Sequence, residues 1–249
     1  MSQPLPWKEF MQWWLTEDDI RNYKEDDQYG YFIECDLDYP KKLHDRHSDY
    51  PLAPERMCVK ASMLSEYSEE VHRRVYNVKE EQHVKDEKVD KLILNLHDKK
   101  NYVLHIRNLK FYLEQGMKLK KVHNVVRFRQ STWLKNWIDF NTDKRKQATN
   151  DFEKDLFKLM NNAVFGKTME DVKNRVEFEL VRDGKRFDKL TNDPAFKCSH
   201  IINSGLVGVE RAKKTIKLNK PLQVGVAILD LAKLHMYQFY YNVLKPRNE

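Results

Sequence analysis

Residues 152 to 168, FEKDLFKLMNNAVFGKT, constrain the fold more than any other stretch. At about 100° per residue, Phe152, Leu156, Phe157, Leu159, Met160, Ala163 and Val164 fall on one wide face of a helix. Lys154, Lys158, Asn162 and Phe165 share the opposite stripe, and Gly166 ends or loosens the helix. A row of two lysines, an amide and an aromatic suits a nucleoside triphosphate. The ammoniums neutralise phosphate, the amide offers hydrogen bonds, and the ring presents a flat face to a base or sugar. The same periodicity also describes an ordinary amphipathic helix with a solvated lysine face.

The second constraint is the run Tyr29–Asp36, YGYFIECD, which is aromatic and β-branched enough for a strand. It continues into Leu37, Asp38, Tyr39 and Pro40. On a strand, Glu34, Asp36 and Asp38 point to one face, so three carboxylates cluster at its end. Such a cluster repels itself unless a cation sits within it. Two-metal phosphoryl transfer needs carboxylates placed this way, although a strand running into an acidic turn needs no ligand at all.

Around these segments the chain reads as α+β, with an antiparallel sheet and helices in blocks. Residues 1 to 28 read as an amphipathic lead-in with an acidic stretch. Pro40–Pro54 reads as a loop or short irregular helix, and residues 66 to 91 as charged and either helical or partly mobile. Leu92–Leu96 and Tyr102–Ile106, separated by turn residues 97 to 101, predict a hairpin. A helix over Arg107–Met117, a break at Gly116 and a strand over Lys118–Phe128 follow. Two helices are predicted near 131–146 and 149–168. After them come a strand at Val176–Val181, a turn at Asp183 and Gly184, strand material from His200 to Leu218, and a helix from Pro221 to about Leu244.

Charge is distributed unevenly. Residues 1 to 60 carry 8 Lys/Arg against 13 Asp/Glu, residues 101 to 150 carry 11 against 3, and residues 201 to 249 carry 8 against 3. An acidic end followed by basic segments suits a polyanion bound beside carboxylate-held cations. Arg127, Arg129, Lys144 and Arg145 are the expected contacts to such a polyanion. Cys35, Cys58 and Cys198 lie far apart with no CxxC pair, which speaks against a disulfide framework or a zinc ribbon and for a reducing compartment. His44 and His47 have no partner cysteines at ligand spacing, so zinc is not expected there. No signal peptide and no bilayer-length apolar run is present, and a soluble, intracellular protein is expected.

The spelling of both segments resembles the DNA polymerases of family B. Lys158-Leu-Met-Asn-Asn162-Ala-Val-Phe165-Gly166 is similar to motif B, Lys-x-x-x-Asn-x-x-Tyr-Gly, carried on a fingers helix. The resemblance implies that Lys158 contacts the triphosphate and that Asn162 supports the nucleotide pocket. Phe165 stands where the family has Tyr. Lys146 and Lys154 stand where protein-primed members carry further phosphate-facing lysines.

Glu34-Cys-Asp36-Leu-Asp38-Tyr39-Pro40 resembles motif A, Asp-x-x-Ser-Leu-Tyr-Pro, at its Tyr-Pro end, with Leu37-Asp38 in place of Ser-Leu and Tyr39 implied as the steric gate under the nucleotide sugar. Counting back from Tyr39-Pro40 puts the metal-binding position on Glu34; a shorter loop puts it on Asp36. Asp36 is favoured as the shorter, stiffer ligand, with Glu34 as the other metal-site carboxylate.

Wider wording is similar to the polymerases of Maverick/Polinton-type transposons and adintovirus-like elements, over roughly residues 29 to 247. It includes Tyr39-Pro-Lys-Lys-Leu-His44-Asp45, Asp49-Tyr50-Pro51-Leu-Ala-Pro54-Glu55, Tyr102-Val-Leu-His105-Ile-Arg107 and Phe128-Arg129-Gln130-Ser131.

The resemblance implies a lead-in over 1–28, a first palm part over 29–130, fingers helices over 131–168 and a second palm part over 169–249. It further implies template-directed nucleotidyl transfer with Mg²⁺ or Mn²⁺. The partners implied are a DNA template-primer, deoxynucleoside triphosphates and a terminal protein primer, with no membrane, in the nucleus or at the site of element replication. The string Tyr-x-Asp-Thr-Asp, which completes the metal site in that family, does not occur in the 249 residues. Asp230 does not replace it. The fragment reads as truncated before that strand turn and is expected not to extend DNA alone. A catalytically inactive, basic nucleic-acid-binding remnant is the alternative reading.

Overall fold

The computed structural model describes residues 1–79, 84, 86 and 88–248. Part of the charged stretch 66–91 therefore lies outside the described residues. The chain forms two compact units, one of Pro4–Ser131 with Leu229–Glu249, the other of Met1–Gln3 with Thr132–Ile228.

The first unit contains β1 (Leu5–Gln12), α1 (Glu17–Asn22), β2 (Tyr29–Asp38), α2 (His44–His47), β3 (Glu55–Met57), α3 (Glu66–Val75), β4 (Lys91–Ile93), β5 (Lys99–His105), α4 (Ile106–Glu114) and β6 (Lys118–Ser131). Its main sheet has the order β1-β6-β2-β5 with every neighbouring pair antiparallel. Along β2 the residues Ile33, Cys35 and Leu37 turn inward and are fully buried. They meet Leu104 of β5, Val125 of β6 and the apolar face of α4, formed by Leu109, Tyr112 and Leu113. Leu234, Tyr237 and Tyr241 of the C-terminal helical segment close this core. Each fully buried aliphatic side chain contributes roughly 1.5–3 kcal/mol relative to exposure.

Two glycines are required here. A Cβ on Gly30 would stand 2.4 Å from the Phe128 ring, and Gly116 turns the chain from α4 into β6 at φ +101°.

Two expectations for this unit are corrected. The lead-in contains a strand: β1 pairs with the far edge of β6, with Leu5 opposite Ser131 and Gln12 opposite Val126. Pro4 and Pro6 disguise it, because proline is tolerated on an edge strand whose N–H groups need no partner. The predicted hairpin does not form. β4 pairs with β3 in a separate two-stranded sheet, whereas β5 pairs with β2. Long-range contacts decide this pairing. The Asp98 carboxylate accepts from the Tyr39 backbone N–H at 2.7 Å, and Lys99 Nζ reaches Glu55 Oε2 at 2.8 Å. The turn residues thereby fasten three segments and do not close a hairpin.

The second unit contains α5 (Lys135–Gln147), α6 (Asp151–Thr168), β7 (Val176–Val181), α7 (Gly184–Thr191), β8 (Phe196–Asn203) and β9 (Leu206–Ala212). The strands form an antiparallel sheet in the order β7-β9-β8. Its inner face buries Val181 and Val209 against Leu190 of α7. Asp183 starts α7 where a turn was predicted. Its carboxylate accepts the N–H groups of Lys185 and Arg186, the usual role of an N-cap aspartate. β8 begins at Phe196 and β9 ends at Ala212, so 213–218 is not strand. α8 (Leu222–Phe239) then starts just after Pro221 as predicted and passes through a π turn, Tyr240–Leu244, into α9 (Lys245–Asn248). Among the described residues, no helix is long and apolar enough to cross a membrane.

Candidate functional site

The outward face of β2 carries Glu34, Asp36 and Asp38, as the period of two requires. Each carboxylate meets a side chain of β6. Glu34 Oε2 accepts from Asn124 Nδ2 at 2.6 Å, Asp36 Oδ1 lies 2.9 Å from His123 Nε2, and Asp38 Oδ1 lies 3.2 Å from Lys120 Nζ. Asp36 Oδ1 also accepts from the Asn101 backbone N–H at 2.8 Å. Asn101 aims that N–H by adopting a φ of 48°, a left-handed conformation that asparagine tolerates. This backbone bond, followed by the His123 imidazole, holds the Asp36 carboxyl below its ordinary value. Beside Asp38, the same logic pushes the Lys120 ammonium up.

The bulges between Glu34 and Cys35 and between Asp36 and Leu37 bend β2 where these carboxylates sit. Beyond the strand end opens a cleft of about 550 Å³, lined by Asp38, Tyr39, Lys41, His44, His97, Asp98 and Lys118 among others. Two carboxylates and two ammoniums there can receive a phosphorylated ligand with a cation. Of the three carboxylates on the outward face of β2, Asp38 is the one that lines the cleft. Its place two residues beyond Asp36, immediately before Tyr39-Pro40, is the sequence signal for it.

Tyr39 lines the cleft with little exposure, since the residue is 3% accessible. Its hydroxyl lies 2.8 Å from His47 Nδ1 and accepts from the Leu52 N–H at 3.2 Å. Burial raises the phenol to about 12 and lowers His47 to about 4, so both are neutral at physiological pH. The segment under Tyr39 is held by further hydroxyls. Tyr237 donates to the Pro51 carbonyl at 2.9 Å, Tyr241 to that of Tyr50 at 2.7 Å, and Tyr102 to that of Pro54 at 3.0 Å. Asp230 supports the same unit from within, accepting from the His105 N–H at 2.8 Å.

Arg127 and Arg129 also belong to this unit, and side chains of β1, of the residue just after it and of β2 occupy them. The Arg127 guanidinium stands 3.6 Å from the Trp13 ring centre and 4.5 Å from that of Tyr29, and Arg129 Nη1 lies 3.4 Å from Glu9 Oε1.

The second unit holds the remaining expected residues. Lys154, Lys158, Asn162 and Phe165 all lie in α6, Asn162 and the two lysines exposed and Phe165 half-buried. Lys154 Nζ lies 3.3 Å from Asp151. Lys144, Arg145 and Lys146 form the last turn of α5, where the helix dipole favours cations, and Lys146 lies 3.3 Å from Asp143. The wide apolar face of α6 is not buried: Phe152 is 77% and Leu159 61% accessible. Among the described residues of this helix only Thr168 is buried.

No family model and no curated protein matches the chain. Among solved structures it is similar to Phi29 DNA polymerase complexed with primer-template DNA in a post-translocation binary complex, at 16% identity and TM-score 0.46, over 94% of this chain and 31% of that one. It is also similar to the ternary complex of that polymerase with primer-template DNA and incoming nucleotide substrates, at 15% identity and TM-score 0.45, over 97% of this chain and 33% of that one. The chain spans about a third of the length of these polymerases.

Proposed function

We propose that the chain is the palm-and-fingers portion of a protein-primed family B DNA polymerase of a mobile or viral element, similar to Maverick/Polinton-type enzymes. In this reading, 29–130 and 169–249 supply the palm and 131–168 the fingers. The observation that carries it is the strand end of β2. Glu34, Asp36 and Asp38 share one face, Tyr39-Pro40 follows, and a cleft with two carboxylates and two ammoniums opens directly beyond.

The donor set fits Mg²⁺ or Mn²⁺. These ions take one or two carboxylate oxygens and complete their shells with water and substrate phosphate, so spaced carboxylates suffice. Asp36 would hold the ion, with Glu34 as the other protein carboxylate and Asp38 adding charge at the cleft. When bound, the metal neutralises charge on the reacting phosphate. Lys158, with Lys154 and Lys146, would pair with triphosphate oxygens; Asn162 and Phe165 would shape the nucleotide pocket, and Tyr39 would lie under the sugar. Lys144 and Arg145 are the basic residues proposed for template-primer phosphates. A terminal protein would supply the first hydroxyl.

A second reading is favoured by one observation: Asp36 already engages His123 and Asn101. A basic nucleic-acid-binding remnant would need no metal at that position. Binding of a labelled deoxynucleoside triphosphate to the 249-residue chain, with and without Mg²⁺, separates the two. The polymerase reading expects Mg²⁺-dependent binding that Lys158→Ala and Asp36→Asn each weaken about tenfold or more. Metal-independent DNA binding with a steep salt dependence, and no nucleotide binding, would establish the remnant.

A further inference from the structure

The outer face of the β7-β9-β8 sheet brings together three metal-ligating side chains that no part of the polymerase reading uses. Cys198 Sγ lies 3.4 Å from His200 Nε2 and 3.8 Å from Glu210 Oε2, and His200 Nε2 lies 3.8 Å from the same oxygen. Among the described residues this is the one group of three potential ligands whose donor atoms all fall within 4.8 Å of one another.

The backbone builds this arrangement. Cys198 and Glu210 are direct cross-strand partners, and His200 is opposite Gly208. A register shift between Phe196 and Cys198 sends Phe196 into the inner core and Cys198 to the outer face. Without that bulge, two residues of the same parity would share one face. At Gly208 a Cβ would stand 2.3 Å from Phe178 Cζ, so glycine lets the Phe178 ring lie across the strand. That ring stands 6.4 Å from the His200 imidazole and borders the triad.

We infer that Cys198, His200 and Glu210 form a zinc site. Tetrahedral zinc with a thiolate at about 2.3 Å, an imidazole at about 2.05 Å and a carboxylate at about 2.1 Å places these donors about 3.4 to 3.6 Å apart. The three separations of 3.4, 3.8 and 3.8 Å need only a few tenths of an ångström of adjustment. Sulfur and imidazole ligands select zinc over magnesium, which prefers an all-oxygen shell. Cys198 binds as thiolate, its proton passing to solvent, and with the Glu210 carboxylate balances the two charges of the ion. Water fills the fourth position. The ion clips β8 to β9 in the second unit, independently of any polymerase role.

The test titrates the 249-residue chain, carrying Cys58→Ser to remove the exposed competing thiol, with Co²⁺ and then Zn²⁺. One equivalent of Co²⁺ should produce a thiolate-to-cobalt charge-transfer band that Zn²⁺ abolishes. Cys198→Ser should remove the band. His200→Ala and Glu210→Gln should each weaken Zn²⁺ binding about tenfold or more, with unchanged far-ultraviolet circular dichroism. Absence of a thiolate–cobalt band, or Zn²⁺ binding equally tight in all three variants, overturns the assignment.

Discussion

His123 Nε2 of β6 stands 2.9 Å from Asp36 Oδ1 of β2, and the same oxygen accepts the Asn101 N–H at 2.8 Å. The folded chain therefore favours the ionised Asp36. Because its folded value lies below the ordinary 3.8, the stabilisation is complete above about that pH. It is lost as pH falls through the lower folded value. Asp36→Asn should therefore be less stable than the native chain at pH 7, with a gap that narrows as the solution is acidified below about pH 4. Urea unfolding across pH measures this; a gap constant down to pH 2 would contradict it.

Tyr39 and His47 make a second, buried pairing. Tyr39→Phe removes the phenolic oxygen that joins His47 Nδ1 and the Leu52 N–H, at a residue that is 3% accessible. The expected cost is about 1–3 kcal/mol, because two buried polar groups lose a partner. Under the polymerase reading the hydroxyl is committed to the core. Discrimination between ribose and deoxyribose triphosphates should then depend on the ring and survive Tyr39→Phe. Denaturation midpoints and competitive nucleotide binding check both halves.

What the sequence discloses follows from the range of the interaction. Alternation along β2 shows Ile33, Cys35 and Leu37 as core and the intervening carboxylates as surface, because period two is local. The 3.6-residue period equally reveals α4, α5 and α6. Partner choice is not local. Leu92–Leu96 and Tyr102–Ile106 have good hairpin chemistry, yet β4 joins β3 and β5 joins β2. The apolar stripe of α6 marks the helix correctly but does not reveal that Phe152 and Leu159 stay exposed. At the candidate site the acidic series is legible. Its capture by His123, Asn124 and Lys120 is not, since those partners arrive through strand register. Cys198, His200 and Glu210 are not legible as a group for the same reason, because the third ligand comes from the neighbouring strand.

The buried ion pair of Lys99 with Glu55 should respond asymmetrically. Lys99 Nζ is fully buried and lies 2.8 Å from Glu55 Oε2, and it also donates to Asn95 Oδ1. Burial lowers the lysine value, with Glu55 opposing that shift. Glu55→Ala leaves an ammonium buried with one neutral acceptor and should cost about 2 kcal/mol, below the fully buried range because Glu55 is partly exposed. Lys99→Met replaces the charge with an apolar chain of similar length and should cost less than Glu55→Ala. The reverse order in chemical denaturation would show that the pair is not desolvated.

Two leucines on helices test the contrast between the units. Leu109 in α4 is 0% accessible among Ile33, Tyr112 and Leu104, whereas Leu159 in α6 is 61% accessible. Leu109→Ala removes fully buried methyl groups and leaves a cavity, so it should cost about 2–5 kcal/mol. Leu159→Gln replaces an exposed apolar side chain on a helix with a residue of comparable helix propensity, and stability should change by less than about 0.5 kcal/mol. The same change removes apolar surface from a helix that has much of it exposed, so solubility should rise. Equal destabilisation by both substitutions, read from urea midpoints, would mean that α6 buries its apolar face in solution.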